Sequence, residues 1–496
     1  MATLSRSTMS TAVFLGIDLG TQSVRVMAVT EEGAIAAVAT QPLTSTRDGV
    51  RHEQDPRSWW QAVATCSRNV MSQLGNTRVK GLAIDATSGT ILMMHPYTLE
   101  PLTSGLMYDD GRAKEEAALC NEAGGALWSE LSYRMQPSWA LPKLLWLERH
   151  GHIPFGAKLA HQNDFINAQF AGEMIAADSS NSLKTGFDLI RMQWPTDVIE
   201  KLELHPMIFP EVVLPGTKIG EVCPYAAEQT GIPIETPIFA GMTDGCAAQI
   251  ASGATTVGSW NSVVGTTLVM KGVTRELLHD PLGVVYSHRS TDGMWLPGGA
   301  SSTGAGVITK EFPGADLDAL NAAALQQGPT RAVVYPLAGQ GERYPFAAPA
   351  AQGFTLGEPA STEEKYNATL QGIAFIERLA FDALRHIGAP TDGSFTISGG
   401  ATKSAALNQI RADVMQRTIG VPEVTEGAFG MAVLAAAHTS SIAEATKRMV
   451  RIERTIEPKR SFAEYADQYI ALVDELAKRG WLPQDVADFA RAGARA

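Results

Sequence analysis

The chain is poor in the residues that staple or coordinate a fold. Its 496 residues hold four cysteines, Cys66, Cys120, Cys223 and Cys246, far apart and without a C-x-x-C pair. That argues against a disulfide framework or a cysteine-based zinc site and points to a reducing compartment. Positive charge is also scarce: 40 Lys and Arg against 52 Asp and Glu leave a formal net charge of -12. With no basic stripe and no helix-turn-helix pattern, a general nucleic-acid or anionic-membrane binder is not expected. A local pocket can still take a small anion. Long apolar runs are missing as well. The first thirteen residues are Ser/Thr-rich with one arginine, and the apolar stretch after them is short and broken by Asp18. Neither a signal peptide nor a membrane span is expected, and the cytoplasm is the expected address. What is present is a folded composition, 45% hydrophobic and 19% charged. The chain is too long for one ordinary core, so two or three domains are expected.

The stretch "FLGIDLGTQSVRVMAV" puts one aspartate, Asp18, at the end of an apolar strand. A turn of Gly20, Thr21, Gln22 and Ser23 follows, and the chain then becomes apolar again. Two β-branched runs joined by small polar residues predict a hairpin. A turn of that kind exposes N–H groups and hydroxyls that suit a polyphosphate, while an acid in the strand must be paired or bind a cation. "GAIAAVATQPL" predicts a third strand. "DPRSWWQAVATCSRNVMSQL" predicts a helix with Asp55 as N-cap and Pro56 at the first helical position. "VKGLAIDATSG" predicts another buried strand, which makes a mixed α/β order. From Glu115 to about Gly172 the pattern is mostly helical. "GSWNSVVGTTLVMKG" then repeats the opening logic, two short strands around Gly265, Thr266 and Thr267. A faint duplication follows, with residues 11–254 and 255–496 as the expected halves. The tail from about Ala463 reads as surface helices without chemistry.

In "AGMTDGCAAQIASG" Asp244 stands between a buried strand and an Ala-rich helix. It reads either as a helix N-cap or as a general base that takes the proton of an attacking alcohol. "FTISGGATKSAALNQIRADVMQ" runs from a strand through Gly399 and Gly400 into a helix, and paired glycines allow close approach to a purine or ribose. "IDATSGT" (Asp85, Thr87, Ser88) and "MYDDGR" (Tyr108, Asp109, Asp110, Arg112) could read a polyol through carboxylates and planar side chains.

Together, in this order, these motifs resemble those of the FGGY carbohydrate kinases, within the actin/hexokinase/Hsp70 ATPase superfamily. The resemblance runs from about Val13 to Ala437. "GIDLGTQSVRV" looks like the first phosphate motif and "VVGTTLVMK" is similar to the second. "SWALPKLLWLERH" fits the first signature except at Ala140, where Pro, Ser or Thr is usual. "GMTDGCAAQIASGA" corresponds to the stretch with the catalytic base. "GGATKSAALNQIRADVMQ" corresponds to the adenosine motif and "EGAFGMAVLAA" to the closing helix of small residues. "TSGT", "NSLKTGFD", "YSHRSTDGMWLPGGAS" and "YPLAGQGERYP" look most like the D-ribulose kinase branch. "YDDGR" keeps a xylulokinase-like Asp-Gly-Arg with Tyr108 in place of tryptophan. The Gly-Gln-x-His-Gly loop of xylulokinases and the tryptophan-rich acceptor region of glycerol kinases are not seen.

The resemblance implies two ribonuclease H-like α/β domains around a central cleft, and ATP-dependent phosphorylation of a ketopentose. D-ribulose is the first expectation, with D-xylulose or another ketose or polyol as the alternative. It implies ATP held by Gly20, Thr21, Gln22, Ser23, Gly265, Thr266, Thr267, Gly399, Gly400, Ala401 and Asn408. Mg²⁺ is expected near Asp18, through water. Asp244 is expected to be the base, and Ser88, Asp110, Arg112, Asp18 and Asp244 to face the sugar. The partners are then the sugar and ATP, without nucleic acid or membrane, and a homodimer stays open. The same core also serves actin-like ATPases that touch no sugar, and a non-catalytic sugar-binding regulator is a further alternative.

Overall fold

The computed structural model describes residues 12–75 and 77–495. The Ser/Thr-rich start of the chain, through Thr11, lies outside them. The predicted hairpin forms between β1 (Ala12–Leu19) and β2 (Ser23–Thr30), and β3 (Ile35–Pro42) extends it antiparallel. After the helix α1 (Pro56–Leu74), β4 (Arg78–Ala86) pairs parallel with β1. The edge strand β5 (Lys218–Glu221) and the strand β6 (Pro237–Thr243) complete a six-stranded sheet in the order β5-β6-β4-β1-β2-β3.

The second half repeats this plan. The hairpin β7 (Trp260–Val264) and β8 (Leu268–Gly272) is followed by β9 (Tyr286–Arg289), β10 (Trp295–Ser301), β11 (Phe395–Ser398), β12 (Ile419–Pro422) and β13 (Ile452–Ile456). They form a sheet in the order β9-β10-β8-β7-β11-β12-β13. In both sheets the first strand pairs antiparallel with the second, and the second pairs antiparallel on its other side with β3 in the first sheet and with β10 in the other. The first strand is parallel on its other side to β4 and to β11 respectively. The faint Gly/Thr-hairpin likeness in the sequence is therefore a likeness of position: each turn joins the first two strands of its sheet.

Local chemistry explains these starts. Asp55 Oδ1 accepts the Arg57 N–H at 3.0 Å with Pro56 opening α1, as the sequence predicts. Trp59 on α1 donates to Gln54 at 2.6 Å, and Gln54 donates to the Thr21 carbonyl at 2.7 Å. Helix packing is thereby tied to the shape of the first Gly/Thr turn.

Four further helices set the layout: α2 (Asp244–Ala251), α3 (Thr362–His386), α4 (Ala405–Met415) and α5 (Gly427–Ala436). Although α5 belongs to the second half by sequence, it packs on the first sheet and on α2. Phe14, Met27, Ala83, Phe239, Cys246 and Ala247 share one apolar cluster with Ala428–Ala437. Its small residues permit contact at backbone distance. A Cβ on Gly16 would lie 1.7 Å from the Ala428 carbonyl oxygen, and one on Gly430 would lie 2.0 Å from that of Ala247. The helices at Ala466–Lys478 and Gln484–Arg495 are less superficial than the sequence suggests. Tyr469, Leu472, Val473, Leu476, Ala487 and Ala490 are buried in the core around α3. No described helix is long and apolar enough to cross a membrane.

Candidate active site

Three carboxylates meet where β1, β4 and α2 come together. Asp18 ends β1 and stands in register with Asp85 on the parallel strand β4. Asp85 is fully buried, and apart from Asp18 neither of its carboxylate oxygens has a hydrogen-bond partner among the described residues. Burial pushes its carboxyl well above the usual carboxylate range, and the charges of Asp18 and Asp244 push it further the same way. Asp18 is raised for the same reasons, burial first and Asp244 next, against the pull of Arg25. The sequence placed Asp85 with the polyol-reading groups, whereas the structure places it beside Asp18. The clue was available, because "GIDLG" and "AIDAT" each end an apolar strand on Ile-Asp.

A fully buried carboxylate beside a second raised one fits a divalent cation. Among the described residues no group of three or more His, Cys, Asp or Glu side chains is arranged to hold a metal ion. Asp18 and Asp85 are the residues that would hold a hydrated Mg²⁺. When bound, that ion supplies charge neutralisation of the phosphates.

Asp244 is not an N-cap. Thr243 occupies that position, and Asp244 is the first helical residue of α2. Its Oδ1 accepts the Gly245 N–H at 2.7 Å, while Oδ2 accepts no hydrogen bond among the described residues. Protein surrounds the side chain on most sides, yet the residue stays open to solvent, as a group in a cleft does. Desolvation raises its carboxyl. The Gly245 N–H and the cations Lys184 and Lys271 pull it back towards the ionised form.

The first Gly/Thr turn closes with the Gly20 N–H on the Ser23 carbonyl at 3.1 Å, leaving Gln22 exposed. In the second turn the Gly265 N–H reaches the Thr267 carbonyl at 2.9 Å, and Thr266 is exposed. Behind it the Ala305 and Gly306 N–H groups bond the carbonyls of Gly265 and Thr266, at 2.8 and 3.1 Å. Glu342 holds that support in place. Its buried carboxylate accepts from Ser301, Thr303 and Tyr335 and from the Ser302 N–H, between 2.6 and 3.0 Å. Its role is not visible in the sequence, because its partners come from two separate segments.

In the third motif Gly399 takes φ +89° and lies so close to β7 that a Cβ would sit 2.6 Å from the Val264 carbonyl oxygen. Only glycine fits there. Gly400 faces open space, so backbone approach from outside is free, and Ala401 is mostly buried. Asn408 does not reach that face. It is 1% exposed and donates to the Thr402 carbonyl at 2.7 Å, which braces the turn from within. Its Oδ1 is buried without a hydrogen-bond partner among the described residues.

The acceptor candidates divide. Ser88 keeps a buried hydroxyl without a partner, and its carbonyl accepts from Lys184 at 3.3 Å. Thr87 turns inward to Gln162 and Thr90. Asp110 is fully buried and both its oxygens are taken, by Arg112 Nε at 2.8 Å, Arg112 Nη2 at 2.7 Å and the His52 N–H at 2.7 Å. Those bonds hold its carboxyl below the usual range against burial. Asp110 thus braces Arg112, whose guanidinium lies over the Trp146 ring at 4.9 Å. Lys143, in the "PKLLWL" signature, secures the same loop by donating to the Met107 carbonyl at 2.7 Å. Burial pulls its ammonium down to about 7. The second half brings Tyr286 edge to face against Trp139 at 5.7 Å, with Lys271 and His288 beside it; the sequence shows the motifs that hold them but no role for these residues individually. His288 shares a hydrogen bond with Ser180 at 3.1 Å across the cleft, and burial pulls its imidazole well below the usual range.

Two sheets of one plan, each with a Gly/Thr hairpin between its first strands and carboxylates at their junction, make an α/β protein of the actin/hexokinase-like fold. The chain belongs to the FGGY family of carbohydrate kinases: the model of the family's N-terminal domain matches residues 13–251 and that of its C-terminal domain matches 260–439. It is 26% identical over 472 residues to the xylulose kinase of Escherichia coli (strain K12), covering 92% of this chain and 96% of that one. It is 24% identical over 461 residues to the gluconokinase of Bacillus subtilis (strain 168), covering 87% and 88%. The crystal structure of xylulose kinase from Rhodospirillum rubrum superposes with a TM-score of 0.84 at 24% identity, over 94% of this chain and 98% of that one. The protein is thus a sugar kinase that uses ATP with Mg²⁺ and an alcohol group as acceptor.

Proposed function

We propose that the protein phosphorylates the C5 hydroxyl of a ketopentose, D-ribulose in the first place, with D-xylulose as the second reading. The observation that carries the chemistry is the position of Asp244. It lies between the Asp18–Asp85 pair, which suits the cation, and Lys184 beside Ser88, which belongs to the acceptor loop. In the proposed step the C5 oxygen bonds to the γ-phosphorus and the bond to the bridging oxygen of ADP breaks. Asp244, through its free Oδ2, takes the hydroxyl proton. The two Gly/Thr turns would hold the phosphates with backbone donors. Gly400 would leave room for the nucleoside, and Ser88 and Arg112 would face the sugar. We assign the two lobes to residues 11–254 and 255–496, with α5 as the shared interface.

The ribulose preference rests on the sequence likeness of the acceptor loops, while the curated relatives and the Asp-Gly-Arg in "YDDGR" favour xylulose. A coupled assay of ADP formation across D-ribulose, D-xylulose, erythrulose and glycerol decides between them. D-ribulose is expected to exceed D-xylulose by about tenfold in kcat/KM, with glycerol weak, because specificity here depends on a few hydroxyl contacts. The reverse order moves the reading to D-xylulose. ADP formation that ignores every acceptor would point to an actin-like ATPase.

A further inference from the structure

Lys271 is 8% exposed and makes no hydrogen bond or ion pair among the described residues. A buried ammonium without a counter-charge is costly unless a ligand completes it. It sits on β8 with Nζ 5.5 Å from the centre of the Tyr286 ring. Its Cε is 3.7 Å from where a Cβ on Gly245 would lie, beside Asp244. From the other half, Lys184 lies 5.7 Å over the Trp139 ring and donates only to the Ser88 carbonyl. The Trp139 and Tyr286 rings meet edge to face at 5.7 Å, so the two ammonium groups flank one aromatic pair built across the cleft. Lys271 thus stands beside Asp244 at the start of α2, and Lys184 stands beside Ser88 in the other half.

The chemistry of a ketopentose gives this pair a task. In the ring form O5 is bonded to C2 and cannot attack phosphorus. Only the open chain has a free C5 hydroxyl, and the open chain also exposes the C2 carbonyl oxygen. We propose that Lys184 and Lys271 together receive the carbonyl oxygen of the open-chain acceptor, or the carboxylate of an aldonate, and so select the form that can react. This rests on the pentulose reading for the identity of the acceptor and not for the existence of the lysine pair.

The test is calorimetric binding of D-ribulose, ribitol and D-ribonate, in the presence of a non-hydrolysable ATP analogue and Mg²⁺. It compares wild type with Lys271→Met and Lys271→Arg, and melting curves confirm that each variant is folded. The wild type is expected to bind D-ribulose about 20-fold or more tighter than ribitol, as a charge-assisted hydrogen bond would give. Lys271→Met erases that preference and Lys271→Arg keeps most of it. Equal wild-type affinity for ribulose and ribitol, or a preference that survives in folded Lys271→Met, overturns the proposal while leaving the pentulose reading intact. If ribonate binds and depends on Lys271 while ribulose does not bind, the pentulose reading falls and the lysine pair stands. If none of the three binds, both fall.

Discussion

Asp244→Asn is expected to lower kcat for sugar phosphorylation about a thousandfold, within the range for loss of a positioned general base, while leaving ATP affinity nearly unchanged. The substitution keeps the size of the side chain and an oxygen able to accept the Gly245 N–H, so α2 starts as before. What disappears is the unpartnered oxygen that can take a proton. The wild-type rate should also fall with acidity. The working form is the carboxylate, and desolvation raises its carboxyl above the ordinary 3.8. The acid limb of kcat/KM therefore lies above that value, and the limb is lost in Asp244→Asn. Steady-state kinetics against pH, with nucleotide binding measured separately, check both points. Transfer within twofold of wild type would remove the proton-acceptor role.

A second large effect is expected far from any polar atom. Gly16→Ala adds one carbon where the Ala428 carbonyl oxygen is 1.7 Å away and the Ala432 nitrogen is 2.7 Å away. Neither is a flexible side chain, so α5 must retreat from β1. Overpacking of this kind costs on the order of 3 kcal/mol. The retreat also moves the start of α5, where a Cβ on Gly427 would be 2.8 Å from Asp85 and where Glu426 faces Arg25 at 3.9 Å. Lower melting temperature and lower kcat should therefore appear together in this variant. A variant with wild-type stability and turnover would show that the close strand–helix contact is not needed to hold the lobes in register.

Much of this site was legible because it is local. The two hairpins announce themselves by β-branched runs around Gly and Thr, and the α1 start by Asp55 and Pro56. Asp244 was found at the correct junction, although the capping position belongs to Thr243, one residue earlier. Non-local features were out of reach. A second sheet in the first half joins strands of two to four residues at Thr46–Asp48, Arg51–Gln54, Ile91–Met94, Gly105–Leu106 and Lys158–His161. Strands so short carry no periodicity to read. The sequence likewise gives no sign that Asp110 is bonded to Arg112 or Asn408 to the Thr402 carbonyl. Lys271 read as the end of an ordinary strand, because its importance comes from Asp244 and Tyr286 on other elements.

The account turns on where the phosphate goes. Incubating the protein with ATP, Mg²⁺ and D-ribulose and following ³¹P resonances gives the answer directly. A phosphomonoester coupled to the C5 protons, formed in step with ADP, is the predicted product. Inorganic phosphate released with ADP while the sugar stays unmodified would contradict it.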